Sequence, residues 1–130
     1  MPMQPGDTTG FPNPTSDHTE QSLDLHRFAV RHPDATYFWR VKGESMRDAG
    51  MSSGDVLVID CAIEARSGDV VVAKVQGEYL VRRLRHVAGH MTLEADHPGY
   101  PILIFQEEEP CEIWGVVVYV LHNPNPERRP

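Results

Sequence analysis

Ser45 is the residue of this sequence whose surroundings first point to covalent chemistry. It lies in Gly43-Glu44-Ser45-Met46, shortly after an apolar run that ends at Val41. A serine where a strand gives way to a turn can expose its hydroxyl while its backbone stays fixed. The G-x-S-x-G elbow of α/β-hydrolases is excluded, because Arg47 replaces the second glycine and few helices are predicted. On local pattern alone, such a serine is usually a turn or cap residue.

Short apolar runs separated by Gly, Asp and Pro are the elements that would position this serine. They cover residues 36–41, 56–59, 70–75, 79–84, 91–93 and 113–121. Runs of this length predict a mostly β fold, with a curled and largely antiparallel sheet. The segment 115–121 is apolar on both faces, which favours a central core strand over a strand paired across a subunit boundary.

One helical signal precedes the strands and covers about residues 22–32. Leu25, Phe28 and Ala29 fall at i, i+3 and i+4, and Asp24 suits the positive N-terminal end of a helix dipole. A proline then ends the pattern. The sequence therefore predicts one short N-terminal helix.

The composition predicts one folded domain behind an extended arm. Residues 1–20 are rich in Pro and Gly with few apolar anchors, so we expect a flexible arm there and a domain at 21–130.

The formal charge of −7 disfavours direct binding to nucleic acid. No apolar stretch approaches the length of a membrane span and no signal-peptide pattern is present, so we expect a cytoplasmic protein. Cys61 and Cys111 are predicted to be reduced thiols, and neither a metal nor a cofactor is expected.

The Gln76-Gly77 pair predicts the register of one hairpin. Glycine tolerates the positive φ that a two-residue turn requires, so the chain should reverse there. Continuing the ladder pairs Lys74 with Tyr79 and Val71 with Arg82. Because side chains alternate between the two faces of a sheet, Arg82 and Lys74 should point to opposite faces.

Six different short motifs follow one another along the chain in one order and at defined spacing. They are Ala35-Thr36-Tyr37-Phe38, Gly43-Glu44-Ser45-Met46, Ser53-Gly54-Asp55, Gly68-Asp69-Val70-Val71-Val72-Ala73, Gly77-Glu78 with Val81, and Gly115-Val116-Val117. Together they resemble the UmuD-like branch of the LexA-type self-cleaving serine peptidases (S24 type). The resemblance covers about residues 10–121. Each motif is weak alone, but their common order makes chance similarity improbable.

The resemblance implies a catalytic pair and a cleavage site. In that family a serine of the G-x-S-M motif attacks a peptide bond of the protein's own N-terminal arm, and a lysine on a later strand is the general base. Ser45 matches the nucleophile position. The family's bond precedes Gly-Phe-Pro, and Gly10-Phe11-Pro12 follow Thr9 here, so Thr9-Gly10 is the corresponding bond, with nine residues before it.

The chain departs from the family at the base, because Arg82 occupies the lysine position. Burial can lower the pKa of a lysine by about 3 to 5 units, whereas a guanidinium is effectively never deprotonated in a protein. The two lysines of the chain offer no clear replacement. Lys74 is predicted to face away, and Lys42 lies three residues before Ser45 and is hard to aim back at it. We therefore predict that self-cleavage at Thr9-Gly10 is lost or severely slowed.

The family resemblance also implies a role and partners. It predicts a homodimeric accessory subunit of an error-prone Y-family translesion polymerase with a UmuC-like catalytic subunit, acting in the SOS response, with a RecA filament as the family's cleavage trigger. A catalytically inert UmuD-like competitor of mobile or phage origin is the main alternative. A LexA-like repressor is disfavoured, because the 44 residues before Ser45 contain one helical signal and no basic patch. A signal-peptidase-like enzyme is disfavoured because neither a membrane anchor nor the base lysine is evident.

Overall fold

A seven-stranded sheet, antiparallel at every pairing, forms the body of the computed structural model, which describes residues 22–106 and 111–128. The strands are β1 (Thr36–Arg40), β2 (Val56–Asp60), β3 (Val70–Val75), β4 (Glu78–Val87), β5 (His90–Glu94), β6 (Leu103–Gln106) and β7 (Glu112–Leu121), in the spatial order β1-β2-β7-β3-β4-β5-β6. The predicted mostly β fold class is confirmed. The arm at 1–20 and the Thr9-Gly10 bond lie outside the described residues.

The sheet curls strongly enough to bring distant strands together. Trp39 on β1 and Tyr79 on β4 are separated by β2, β7 and β3, yet their ring centroids are 5.2 Å apart. Trp114 on β7 stacks on Trp39 at 4.6 Å. This curvature places the end of β1 beside the start of β4.

The β3–β4 hairpin has the register that the sequence predicts. Gln76 and Gly77 both adopt positive φ, at 50° and 83°, as a two-residue turn with the twist of the sheet requires. The ladder pairs Lys74 with Tyr79 and Val71 with Arg82. The position of every side chain on β4 follows from this turn.

β7 is a central strand, as its unbroken apolar sequence predicts. It pairs with β2 and β3, and its register shifts against each of them. Gly115 lies on β7 where a Cβ atom would come within 2.7 Å of Ile59 Cγ2 and 2.9 Å of Cys61 Sγ. Only glycine permits β2 and β7 to approach so closely at this point.

The helix α1 (Leu25–Ala29) is shorter than the predicted 22–32 segment. The Asp24 side chain accepts a hydrogen bond from the Arg27 N–H at 3.2 Å and caps its first turn. Val30 is already extended, and a 3₁₀ turn at Pro33–Ala35 leads into β1.

The strand β6 was not predicted from the sequence at all. Within the described residues, no helix has the length and apolar character needed to cross a membrane.

Two apolar clusters cover the two faces of the sheet. One contains Val71, Ala73, Leu84, Leu93, Phe105 and Val116. The other contains Met46, Met51, Leu57, Ile59 and Val72. The alternation of Val71, Val72 and Ala73 between the clusters explains why β3 is buried on both faces. Cys61 and Cys111 are free, as predicted.

Two buried carboxylates bracket β2, and each holds a histidine from another part of the chain. Asp60 is 4% exposed and lies 2.6 Å from Nδ1 of His32. Asp55 is 3% exposed and lies 2.7 Å from Nδ1 of His122. His32 precedes β1 and His122 follows β7, so the two pairs attach both of these segments to the ends of β2.

The pKa of Asp60 lies below its usual value. Burial by itself raises that pKa, but hydrogen bonds from the His32 side chain and the Ala62 N–H, together with the charge of His32, favour the ionised carboxylate and outweigh burial. The folded state therefore binds the proton of Asp60 less readily than the unfolded state. The resulting stabilisation is present above the unfolded pKa of about 4 and is lost as pH falls through the folded pKa.

We predict that Asp60→Asn lowers the free energy of unfolding at neutral pH by about 1.5–3 kcal/mol, because it removes hydrogen bonds to a buried charge. Urea unfolding of native and variant protein should show this difference shrinking below about pH 4, as Asp60 becomes protonated. Asp34→Asn, the same substitution at an exposed position, is the control and should change stability by less than about 0.5 kcal/mol. A difference that stayed constant through the acid range would contradict the assigned cause.

Candidate functional site

Ser45 is held on a well-anchored turn after β1. The Val41 N–H donates to the Asp55 carbonyl at 2.8 Å, and the Gly54 N–H donates to the Val41 carbonyl at 2.9 Å. Gly43 adopts a φ of 86°, which reverses the chain. Met46 is 3% exposed and packs into the core directly after Ser45. The serine backbone is thus fixed on both sides.

Arg82 contacts Ser45, so the two site residues that the sequence identifies come together. Arg82 Nη1 donates a hydrogen bond to Ser45 Oγ at 2.8 Å and another to the Val81 carbonyl at 2.8 Å. The hairpin register puts Arg82 opposite Val71 on β3 and brings its side chain to the serine turn. The Ser45 oxygen is the acceptor in this contact, so the arginine orients the hydroxyl without taking its proton.

The two residues lie in a cleft of about 360 Å³ between the end of β1 and the start of β4. Its walls include Trp39, Tyr79, Leu80 and Tyr100. The Tyr100 ring centroid lies 5.7 Å from Cζ of Arg82, within range of a cation–π interaction. The cleft therefore combines the polar groups of Ser45 and Arg82 with aromatic and aliphatic side chains.

Arg82 is a cation without a carboxylate partner among the described residues. None of the ion pairs between described residues includes Arg82. Its Nε is buried and has no hydrogen-bond partner among residues 22–106 and 111–128. Burial lowers the pKa of Arg82, but a guanidinium remains protonated in a protein. A permanent positive charge therefore faces Ser45.

Neither of the two lysines of the chain makes a hydrogen bond to Ser45 in the described structure. Lys74 is exposed on the other face of the hairpin, where its Nζ lies 5.7 Å from the Tyr79 ring centroid. Lys42 lines the cleft, but it is exposed and no hydrogen bond joins it to Ser45 in the described residues. The predicted cleavage residues, Thr9 and Gly10, lie outside those residues.

Sequence reasoning missed the contacts that place the segment after β5 beside the site. Arg83 donates from Nε and Nη2 to Asp96 Oδ2, at 3.1 and 2.7 Å. The Asp48 N–H donates to the Asp96 carbonyl at 2.7 Å, which ties this segment to the turn after Ser45. These bonds help to hold Tyr100 at the cleft. In the sequence, the sign of these contacts was an acidic residue, Asp96, close to the turn residues Pro98 and Gly99.

Comparisons with known proteins found one matching family model and several similar proteins. The family model described as Peptidase S24-like matches residues 7–118. Protein MucA of Salmonella typhimurium is 44% identical over 116 residues, which cover 88% of this chain and 78% of MucA. Protein ImpA of Shigella flexneri is 43% identical over 115 residues, covering 87% of this chain and 77% of ImpA. The LexA repressor of Verminephrobacter eiseniae is 37% identical over 115 residues, covering 88% of this chain and 50% of the repressor.

We predict that Ser45 reacts slowly with a serine-directed fluorophosphonate and that Arg82→Lys accelerates the reaction about a hundredfold. A buried lysine can lose its proton and act as a general base, a contribution of at least about 10² in rate, whereas arginine cannot. Mass spectrometry of the labelled peptide measures the rate, which should rise with pH in Arg82→Lys as the ammonium deprotonates. The double variant Arg82→Lys with Ser45→Ala is the control and should remain unlabelled. Equal rates in native protein and Arg82→Lys would contradict the assigned role of Arg82.

Proposed function

This chain belongs to the Peptidase S24-like family as a UmuD-like member, and from that premise we propose that it is an accessory subunit of an error-prone translesion DNA polymerase in the SOS response. In this role it acts by binding partners, and the self-cleavage of the family is lost or severely slowed. The polymerase subunit is of the UmuC-like Y-family type. The net charge of −7 fits a link to DNA that runs through that subunit.

The observation that carries the loss of cleavage is the 2.8 Å hydrogen bond from Arg82 Nη1 to Ser45 Oγ. Serine is a weak nucleophile until a base removes its proton. The group in contact with it here is a donor that stays charged, so Ser45 keeps its proton. The serine and the fold around it are retained, which supports a function that uses the shape of the site without its hydrolytic step.

An apolar groove on the side of β1 that faces away from the Ser45–Arg82 cleft supports the proposed homodimer. It is lined by Leu25 and Ala29 of α1, Phe38 of β1 and Tyr119 and Leu121 of β7. Phe38 is 52% exposed and Leu25 50% exposed. Contiguous exposed apolar surface of this kind marks protein contact sites, and a second copy of the chain is the occupant that the proposed role requires.

We expect the intact mass of the native protein to stay constant during incubation with a RecA filament and ATP. Arg82→Lys should lose residues 1–9 under the same conditions, because the variant regains a side chain that can act as base. Intact-mass spectrometry over time reports the rate and the cleavage position together. Arg82→Lys with Ser45→Ala should stay uncut. Rapid loss of the first nine residues from the native chain would overturn the proposal that cleavage is lost.

We expect the native chain to retain a UmuC-like polymerase subunit in a pull-down, since binding rather than cleavage is the proposed activity. Phe38→Asp places a charge in the apolar groove and should shift the protein from dimer to monomer in analytical ultracentrifugation. Ile104→Asp, at an exposed apolar position of β6 outside the groove lining, is the matched control. Failure to retain the polymerase, with capture of host UmuD alone, would favour the competitor role over the accessory role.

A further inference from the structure

The apolar groove beside α1 contains one side chain that changes its charge near neutral pH. Nine described residues line its volume of about 340 Å³, and none of them is Asp, Glu, Lys or Arg. His26 of α1 is among the nine, and histidine is the side chain whose charge changes between about pH 5 and 8. The other ionisable group of the lining is the phenol of Tyr119, and phenols are neutral in that range.

Contacts within a single copy fix the position of His26 on this groove. The rings of Phe28 on α1 and Tyr119 on β7 have centroids 5.3 Å apart, so the helix packs on the sheet. The His26 carbonyl accepts a hydrogen bond from the Val30 N–H at 2.8 Å, where the helix ends. The His26 side chain itself is exposed. In one copy, therefore, water can solvate a protonated imidazole at this position.

The charge balance of the chain favours a second copy as the occupant of the groove. Two chains of net charge −7 repel each other wherever their carboxylates meet. The groove lining has no carboxylate, and it presents the exposed apolar side chains of Leu25, Phe38 and Leu121. In a two-fold dimer the same patch meets itself. A dimer formed here therefore buries His26 from both copies.

The charged groups around the groove do not supply a counter-charge to His26. None of the ion pairs between described residues includes it. Asp24 accepts the Arg27 N–H, and the two carboxylates at the ends of β2 bind other histidines. The ionisable groups on the surrounding elements are Asp24, Arg27, Arg31 and His32 on and after α1, Arg40 on β1, Asp55 and Asp60 beside β2, and Tyr119 and His122 on and after β7.

We propose that His26 makes the homodimer sensitive to pH, so that two copies associate through this groove when the imidazoles are neutral and separate when they are protonated. A cation buried in an apolar interface loses its hydration and finds no carboxylate in the lining. The inference rests on the homodimer of the proposed function. The separated copies bind more protons than the dimer does, so acid favours the monomer. With His26 from each copy buried, Kd rises by at most about a hundredfold for each pH unit.

Sedimentation equilibrium of the full-length protein measures the dimer Kd, and circular dichroism at each pH verifies that the fold is unchanged. We expect native Kd to be at least about tenfold weaker at about pH 5.5 than at about pH 8. His26→Gln, which is neutral at every pH, should hold Kd constant within about twofold over this range. His26→Arg, which is always charged, should dimerise weakly throughout. His90→Gln, at an exposed position of β5 outside the groove, is the control and should keep the native response.

The outcomes separate this inference from the function on which it rests. A native dimer whose Kd does not change with pH refutes the inference alone. A His26→Gln protein that keeps the native response also overturns it, and would assign the response to His32 or His122, which that variant retains. A His26→Arg protein that dimerises as the native chain does has the same meaning. A chain that is monomeric at every pH refutes the homodimer as well, whereas failure to retain the UmuC-like subunit refutes the accessory role.

Discussion

The turn at Gln76 and Gly77 fixes the register of β3 against β4, and the whole site depends on that constraint. Three successive residues of β4 have separate tasks. Val81 packs against the core cluster that includes Met46, Arg82 reaches Ser45, and Arg83 binds Asp96. A slip of one residue would send each side chain to the opposite face and would break all three contacts together. The backbone register of the hairpin therefore sets the positions of these three side chains.

Burial has opposite consequences for lysine and arginine at position 82. Desolvation disfavours the charged form of either group, and a lysine responds by releasing its proton and becoming a base. Arginine keeps its charge, and its buried Nε has no hydrogen-bond partner within the part of the chain that the structure describes. The same partly buried position would therefore favour a neutral amine if it held lysine, whereas with Arg82 it holds a charged donor.

Local rules gave most of the strands and the register that pairs Arg82 with Val71, because hairpin register needs only a turn and the alternation of side chains. That Arg82 belongs beside Ser45 was implied by the family resemblance. The helix was predicted too long, since the 3.6-residue pattern continues past Ala29 while Val30 already has an extended backbone. β6 was missed because four residues after a proline carry too little periodicity to separate a strand from a loop. The pairing of Asp55 with His122 spans 67 positions and has no local signal. The aromatic walls of the cleft depend on the curl of the sheet, which individual strands do not encode.

The stacked indoles of Trp39 and Trp114 have an optical consequence. They are the two tryptophans of the chain, and their planes are 21° apart at a centroid distance of 4.6 Å. Transition dipoles this close couple, so the circular dichroism of the protein should contain an exciton band besides the signal of its strands. That band measures the closure of β1 onto β7, and Tyr79 extends the same cluster to β4. The molecule thus contains an intrinsic, label-free reporter beside the cleft that Trp39 lines.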